Sequence, residues 1–153
     1  MTPSSDRLDL AGSPQPAVLR ISRIHHLGLL VADLNTALAL YGQSLGAAAG
    51  ARWASQEDGV EVALVDLGAS LLELMQPLRA DCGVGRFLAR RGPGMHHVAY
   101  LVEDIEAELS AARGAGLDLI DQRPRPGLNG TTIAFLHPRT MGGVLTELVQ
   151  ERR

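Results

Sequence analysis

The sequence predicts an α+β fold: two tandem βαβββ modules that pair into a cup-shaped, curved mixed sheet with their helices outside. Three observations carry this expectation. The tract from His25 to Leu34 (HHLGLLVADL) recurs from His96 to Ile105 (HHVAYLVEDI), and His26 to His97 spans the same 71 residues as Asp33 to Asp104. Each copy is trailed by a short apolar tract holding one carboxylate, Glu73 within Leu71–Met75 and Glu147 within Val144–Val149. Repetition at a fixed period marks two copies of one unit, and neither half of a 153-residue chain can bury a sheet well by itself.

The elements follow in order. Residues 1–19 carry Pro3, Pro14 and Pro16 among Ser and Gly without a sustained period, so they are expected to form a flexible tail. A single domain is expected over 20–151, divided into module one (20–77), a connector (78–93) and module two (94–151). Ile21–Val31 reads as a strand. Asp33 is a plausible N-cap for a helix from Leu34 to Leu45, whose Leu34, Leu38, Tyr41 and Leu45 share a face, and Gly46 stands where a terminator belongs. Strands follow at Gly59–Leu67 and Ser70–Gln76, separated by a Gly68–Ala69 turn and closed by Pro77. Val84–Arg91 is predicted to be a short helix. Module two repeats the plan: a strand over Met95–Val102, the N-cap Asp104, a helix over Ile105–Arg113, and strands near Leu117–Gln122, Thr131–His137 and Gly143–Gln150. The segment Arg123–Gly130 reads as an extended loop because of its prolines and glycines.

Bulk chemistry narrows the function. Hydrophobic residues at 46%, charged residues at 20% and a net charge of −3 describe a globular chain with no footprint for nucleic acid. All 14 cationic residues are Arg, which excludes Lys Schiff-base chemistry and leaves planar, permanently charged groups for phosphates or carboxylates. Aromatics at 3% make a base-stacking platform implausible. The lone Cys82 reads as an ordinary small residue of the connector and fits a reducing compartment. No apolar run reaches the roughly 20 residues of a membrane helix, and no signal peptide is evident, so the cytoplasm is expected.

Strand parity then sorts the histidines. His26, Gly28 and Leu30 share one face, and His97, Ala99 and Leu101 share the equivalent one. The bulkier set on the opposite face (Leu27, Leu29, Val31; Val98, Tyr100, Val102) should pack beneath the helices. This makes His26 and His97 the inward pair, with small Gly28 and Ala99 leaving room for a ligand. His25 and His96 fall on the other face, as ordinary histidines or as hydrogen-bond support for their neighbours. His137 reads as a loop residue. Glu73 and Glu147 share parity with apolar neighbours, and a carboxylate so placed is costly to bury unless it is paired or metal-bound. The repeat brings two imidazoles and two carboxylates together at the bottom of the cup. That mixed set suits one divalent ion among Zn, Co, Mn, Ni and Fe.

From Ile24 to Glu151 the chain resembles the methylmalonyl-CoA epimerases of the vicinal-oxygen-chelate superfamily. The matching segments are Ile24–Gly28, Leu71–Pro77, Gly94–Ala99, Leu119–Gly127 (LIDQRPRPG), Ala134–Pro138 and Gly142–Leu148 (GGVLTEL). The last three point beyond the superfamily to the epimerases. The resemblance implies the vicinal-oxygen-chelate fold, metal ligands at His26, Glu73, His97 and Glu147, and an acid–base pair of Glu61 and Glu147 acting on a metal-stabilised enolate. It implies an acyl-CoA thioester substrate and a homodimer. Candidate arginines for the CoA phosphates are Arg86, Arg90, Arg91, Arg123 and Arg125, although a run of arginines also suits a solvated helix face. Two positions depart from the family pattern, His25 where Asp is frequent and Asn129 where the proline loop often ends in His-Gly. Rival readings are a glyoxalase-type lyase, a ring-cleaving dioxygenase, and a non-catalytic small-molecule-binding protein on the same scaffold. The binding protein would need neither four ligands nor Glu61.

Overall fold

Eight strands form one continuous mixed sheet in the computed structural model, which describes residues 17–152; residues 1–16 of the expected tail lie outside the described residues. The strands are β1 (Arg23–Leu30), β2 (Ala49–Ser55), β3 (Val60–Asp66), β4 (Leu71–Pro77), β5 (Gly94–Leu101), β6 (Arg125–Pro126), β7 (Thr132–Leu136) and β8 (Thr146–Gln150). Their order across the sheet is β2-β3-β4-β1-β5-β8-β7-β6. Each histidine strand lies parallel to its glutamate strand, β1 to β4 and β5 to β8, while β1 and β5 pair antiparallel and join the two modules. The repeated βαβββ unit read in the sequence is therefore present twice, as two half-sheets sharing one seam.

Helices α1 (Leu34–Leu45) and α3 (Ile105–Gly114) cover one face of this sheet. Beneath α1, Leu34 and Ala37 meet Ala63, Val65, Leu72 and Leu74, with Leu27, Leu29 and Val31 alongside, as parity predicts. Beneath α3, Ile105, Leu109 and Ala112 meet Ala134, Leu136 and Leu148. Both helices start alike: the Asp33 carboxylate accepts from Thr36 N (2.7 Å), and that of Asp104 accepts from Ala107 N (3.0 Å). Gly46 ends α1 at φ +64°, a left-handed conformation that glycine adopts without steric cost. A second cap, invisible in the sequence, repeats as well. Gln76 Oε1 accepts from Leu34 N (2.6 Å) and Gln150 Oε1 from Ile105 N (2.8 Å), so the end of each glutamate strand is tied to the start of its module's helix.

Helix α2 (Gly83–Arg91) does not join the outer pair. Its Val84, Phe87 and Leu88 pack with Leu30, Val60, Val62 and Met75 on the concave side. Cys82 is more than a connector residue: it is buried, and its sulfur accepts from Gly85 N at the start of α2.

The outer strands differ from expectation. β2 is absent from the sequence reading because Ala49–Ser55 (AGARWAS) has no β-branched residue and no apolar alternation, as suits a largely exposed edge. Conversely, Leu117–Gln122 forms no strand and contributes one isolated bridge, Leu119 to Leu136. There the Asp121 carboxylate, not a neighbouring backbone, accepts from Phe135 N (2.9 Å). Pro124 and Pro126 lack the N–H a ladder needs, which limits β6 to two residues. β8 begins at Thr146 rather than Gly143, since Gly142 and Gly143 adopt φ +66° and +87° in a turn.

Removing either strand-to-helix tie leaves a partly buried N–H without its partner. Gln76→Ala and Gln150→Ala should each lower stability by about 1–3 kcal/mol, read from urea midpoints, with the fold retained. Unchanged midpoints in both variants would contradict this role for the two glutamines.

Candidate metal centre

The seam between the modules supplies the site. In the β1–β5 pairing Gly28 faces His97 and His26 faces Ala99, while in the parallel pairs Gly28 faces Glu73 and Ala99 faces Glu147. Four side chains, one from each of these strands, thus converge on the concave face. His26 Nε2 and His97 Nε2 are 3.0 Å apart. Glu147 Oε2 lies 3.1 Å from each nitrogen, and Glu73 Oε2 lies 3.5 Å from each. Donor atoms about 2.1 Å from a common centre stand about 3.0–3.4 Å from one another, for bond angles between octahedral and tetrahedral. The five separations that involve an imidazole are close to that size.

Two further observations fit a metal ion. Glu147 Oε2 is buried and has no hydrogen-bond partner, because neither imidazole meets it at hydrogen-bonding geometry despite the 3.1 Å approach. An orphaned, buried carboxylate oxygen is costly unless something cationic satisfies it. His26, His97 and Glu147, all buried, could together hold a metal ion. Glu73 is less enclosed and approaches both imidazoles from the other module, outside that three-residue group.

Electrostatics follow from this crowding. Burial alone would lower the pKa of His26, but the neighbouring Glu147 and Glu73 carboxylates outweigh it and raise the imidazole to about 9. Burial would raise Glu147, but the two imidazoles hold it well below the usual carboxylate range, at about 2. His96 is lowered to about 4 by burial and by the adjacent His97, so it is neutral at pH 7.

The outer histidines are not where simple alternation puts them. The β1–β5 register shifts between Ile24 and His26 and again between Gly28 and Leu29, leaving His25 and His96 each as the unpaired residue of a bulge. A bulge redirects its extra residue. Both histidines therefore line the cup beside their neighbours, with His25 Nδ1 2.8 Å from His26 Nδ1 and His96 Nδ1 2.9 Å from His97 Nδ1. Gly28 also has a different job from the one expected. The space above it is filled by the His97 ring, and a Cβ at this position would stand 2.2 Å from His97 Cε1.

Glu61 does not join the centre. On β3 it is Val60, Val62 and Leu64 that face the cup, and Glu61 projects from the opposite face. There it pairs with Arg52 (2.7 Å), which in turn donates to Asn35 (2.8 Å). The guanidinium holds the Glu61 carboxyl below its ordinary value. Both faces of β3 carry apolar residues, and it is the register against β4, with Leu64 opposite Glu73, that turns Glu61 outward.

Above the centre opens a cavity of about 1170 Å³, walled by Trp53, Val60, Val62, Leu64, Met75 and Phe135. Arg86 and Arg125, of the five candidate arginines, line it, together with Arg79 and Arg152. Arg91 instead lies over the Phe87 ring (5.3 Å), and Arg90 and Arg123 are not in the lining. Asn129, in the proline loop, lines the cavity at φ +55°. His137 stays in a turn, its Nδ1 accepting from Arg139 N (3.0 Å).

A doubled βαβββ cup with a two-histidine, two-glutamate centre on its seam defines a class: metal-binding enzymes and binding proteins built on one shared scaffold. Residues 25–135 match the model of the glyoxalase/bleomycin resistance protein/dioxygenase superfamily. The ethylmalonyl-CoA/methylmalonyl-CoA epimerase of Cereibacter sphaeroides is 36% identical over 85% of this chain and 98% of its own. Methylmalonyl-CoA epimerase from Mycobacterium tuberculosis superposes with a TM-score of 0.84 at 32% identity, covering 91% of this chain and 94% of that one. A variant of the Streptomyces coelicolor methylmalonyl-CoA epimerase, in complex with 2-nitronate-propionyl-CoA, gives a TM-score of 0.84 at 35% identity over 88% and 100% of the two chains. The chain belongs to this superfamily and, within it, to the methylmalonyl-CoA epimerase family.

Two outcomes follow from the geometry. Gly28→Ala forces the His97 ring to move, so metal affinity measured by calorimetry should fall at least tenfold while the circular dichroism spectrum is kept. In chelator-treated protein, the stability that His26 contributes is full below its ordinary pKa of 6.5 and is lost as the pH rises through about 9. Urea midpoints should therefore decline across that interval, and a His26→Gln variant should lose this slope.

Proposed function

We propose that the chain is a metal-dependent epimerase interconverting the C2 epimers of methylmalonyl-CoA by 1,1-proton transfer. The observation that carries this reading is Glu147: an ionised carboxylate at the base of an apolar cup, beside a metal-sized cluster of donors, in a chain of the epimerase family. C2 of such a substrate lies between a thioester and a carboxylate, which spread the charge left by a departing proton. It is still too weak an acid for an unaided carboxylate.

His26, Glu73, His97 and Glu147 would hold one divalent ion, with Co, Mn, Zn, Ni and Fe all suited to the donors. When bound, that ion supplies Lewis-acid stabilisation of the developing oxygen charge, typically worth several kcal/mol. Glu147 takes the C2 proton on one face. Glu73 is its counterpart from the other module and returns a proton to the opposite face. The position of Glu61, turned outward and paired with Arg52, leaves Glu73 as the second carboxylate at the base of the cup. Val60, Val62, Leu64 and Phe135 exclude water from the reacting carbon. Arg79, Arg86, Arg125 and Arg152 offer planar cations to the CoA phosphates. The family supports a homodimer, and the lone Cys82 suits a reducing compartment such as the cytoplasm. The similarity to epimerases over most of the chain disfavours a non-catalytic binding role.

The test is exchange of the C2 hydrogen of methylmalonyl-CoA with deuterated water, with and without chelator. Metal-loaded protein should exchange it and chelated protein should not; no exchange when loaded would sink the epimerase reading. Positioned acids and bases contribute about 10²–10⁴ in rate, so Glu147→Gln should lose at least 100-fold. Glu61→Gln should keep most of the activity. A comparable loss at Glu61, with fold and metal retained, would return Glu61 to the acid–base pair.

A further inference from the structure

We infer that a relay of hydrogen bonds from Glu151 through His25 to His26 positions the first module's imidazole for metal binding, and that the second module has no such anchor. The inference rests on the metal-centre reading above and concerns residues outside the four donors. If His26 Nε2 faces the ion, the ring proton must sit on Nδ1. That nitrogen is 2.8 Å from His25 Nδ1, so His26 donates and His25 accepts. An imidazole accepting at Nδ1 carries its proton on Nε2. His25 Nε2 stands 3.2 Å from Glu151 Oε1, a carboxylate within reach of that proton. With a small turn of the Glu151 carboxylate every donor in the chain meets an acceptor, and only one tautomer of each ring then satisfies all three groups.

The second module matches only in part. His97 Nδ1 meets His96 Nδ1 at 2.9 Å, but the His96 ring then packs edge-on against Phe87, with centroids 4.6 Å apart. Among the described residues no carboxylate pairs with it. Glu151 can reach His25 because it continues the cup-facing alternation of Glu147 and Val149 beyond the end of β8. Its other partner is Arg23, at 3.5 Å, in an ion pair exposed on both sides. Glu151 is therefore a positioning residue that acts through His25.

The experiment is Co²⁺ titration of the metal-free full-length chain, followed by calorimetry and by the visible d–d spectrum, with thermal melts alongside. Wild type, Glu151→Ala, Glu151→Gln and Arg23→Ala are compared. Glu151→Ala should weaken Co²⁺ binding by about 10- to 100-fold and alter the d–d band. Glu151→Gln, whose amide oxygen still accepts from His25 Nε2, should recover much of that loss, and Arg23→Ala should bind as wild type does. Unchanged affinity in Glu151→Ala, with or without a lower melting temperature, overturns the relay while leaving the metal centre standing. A wild-type chain that binds no Co²⁺ overturns the metal reading itself.

Discussion

Two imidazoles 3.0 Å apart each meet two carboxylates at 3.1–3.5 Å in a place almost closed to water, and the rest of the structure is arranged around that fact. Such crowding is unfavourable by default, because desolvating imidazoles and carboxylates costs several kcal/mol per charge unless each gains a partner. The antiparallel β1–β5 seam makes it geometrically possible by setting His26 and His97 side by side. The parallel pairs β1–β4 and β5–β8 then bring one carboxylate to each imidazole. Residues of minimal size make it sterically possible, with Gly28 lying beneath the His97 ring.

The same constraint accounts for how the two faces of the sheet divide the work. The outer face is ordinary core: aliphatic side chains under α1 and α3, each helix capped by an aspartate and tied to a strand-end glutamine. The concave face carries the polar chemistry, walled by apolar residues, and α2 closes part of it with Val84, Phe87 and Leu88. Burial on one face supplies the stability that lets the other hold an electrostatically expensive cluster.

Much of this was legible before any coordinates. The 71-residue repeat implied two modules, period-two alternation singled out His26 and His97, and the repeat brought Glu73 and Glu147 to them. Three things were not legible, each for a physical reason. The bulges at His25 and His96 are single-residue register shifts that leave no compositional trace, so alternation assigns both residues to the wrong face. The edge strand β2 is half-exposed and lacks β-branched residues, so propensity is silent there. The Gln76 and Gln150 caps are contacts across more than forty residues, beyond any local capping pattern. Glu61 is a different case: both faces of β3 are apolar, so its outward position shows only in the register against β4, and the family resemblance pointed the other way.

The chain distances between the four donors have a consequence of their own. They stand at positions 26, 73, 97 and 147, so whatever bridges them acts as a cross-link that closes long loops of chain. Loop closure costs entropy that grows with the logarithm of loop length, and in the unfolded chain no preformed site exists to offset it. Occupancy of the centre is therefore thermodynamically linked to the folding of both modules at once. A chain whose halves are each too small to persist alone has placed its most cohesive point at the boundary between them.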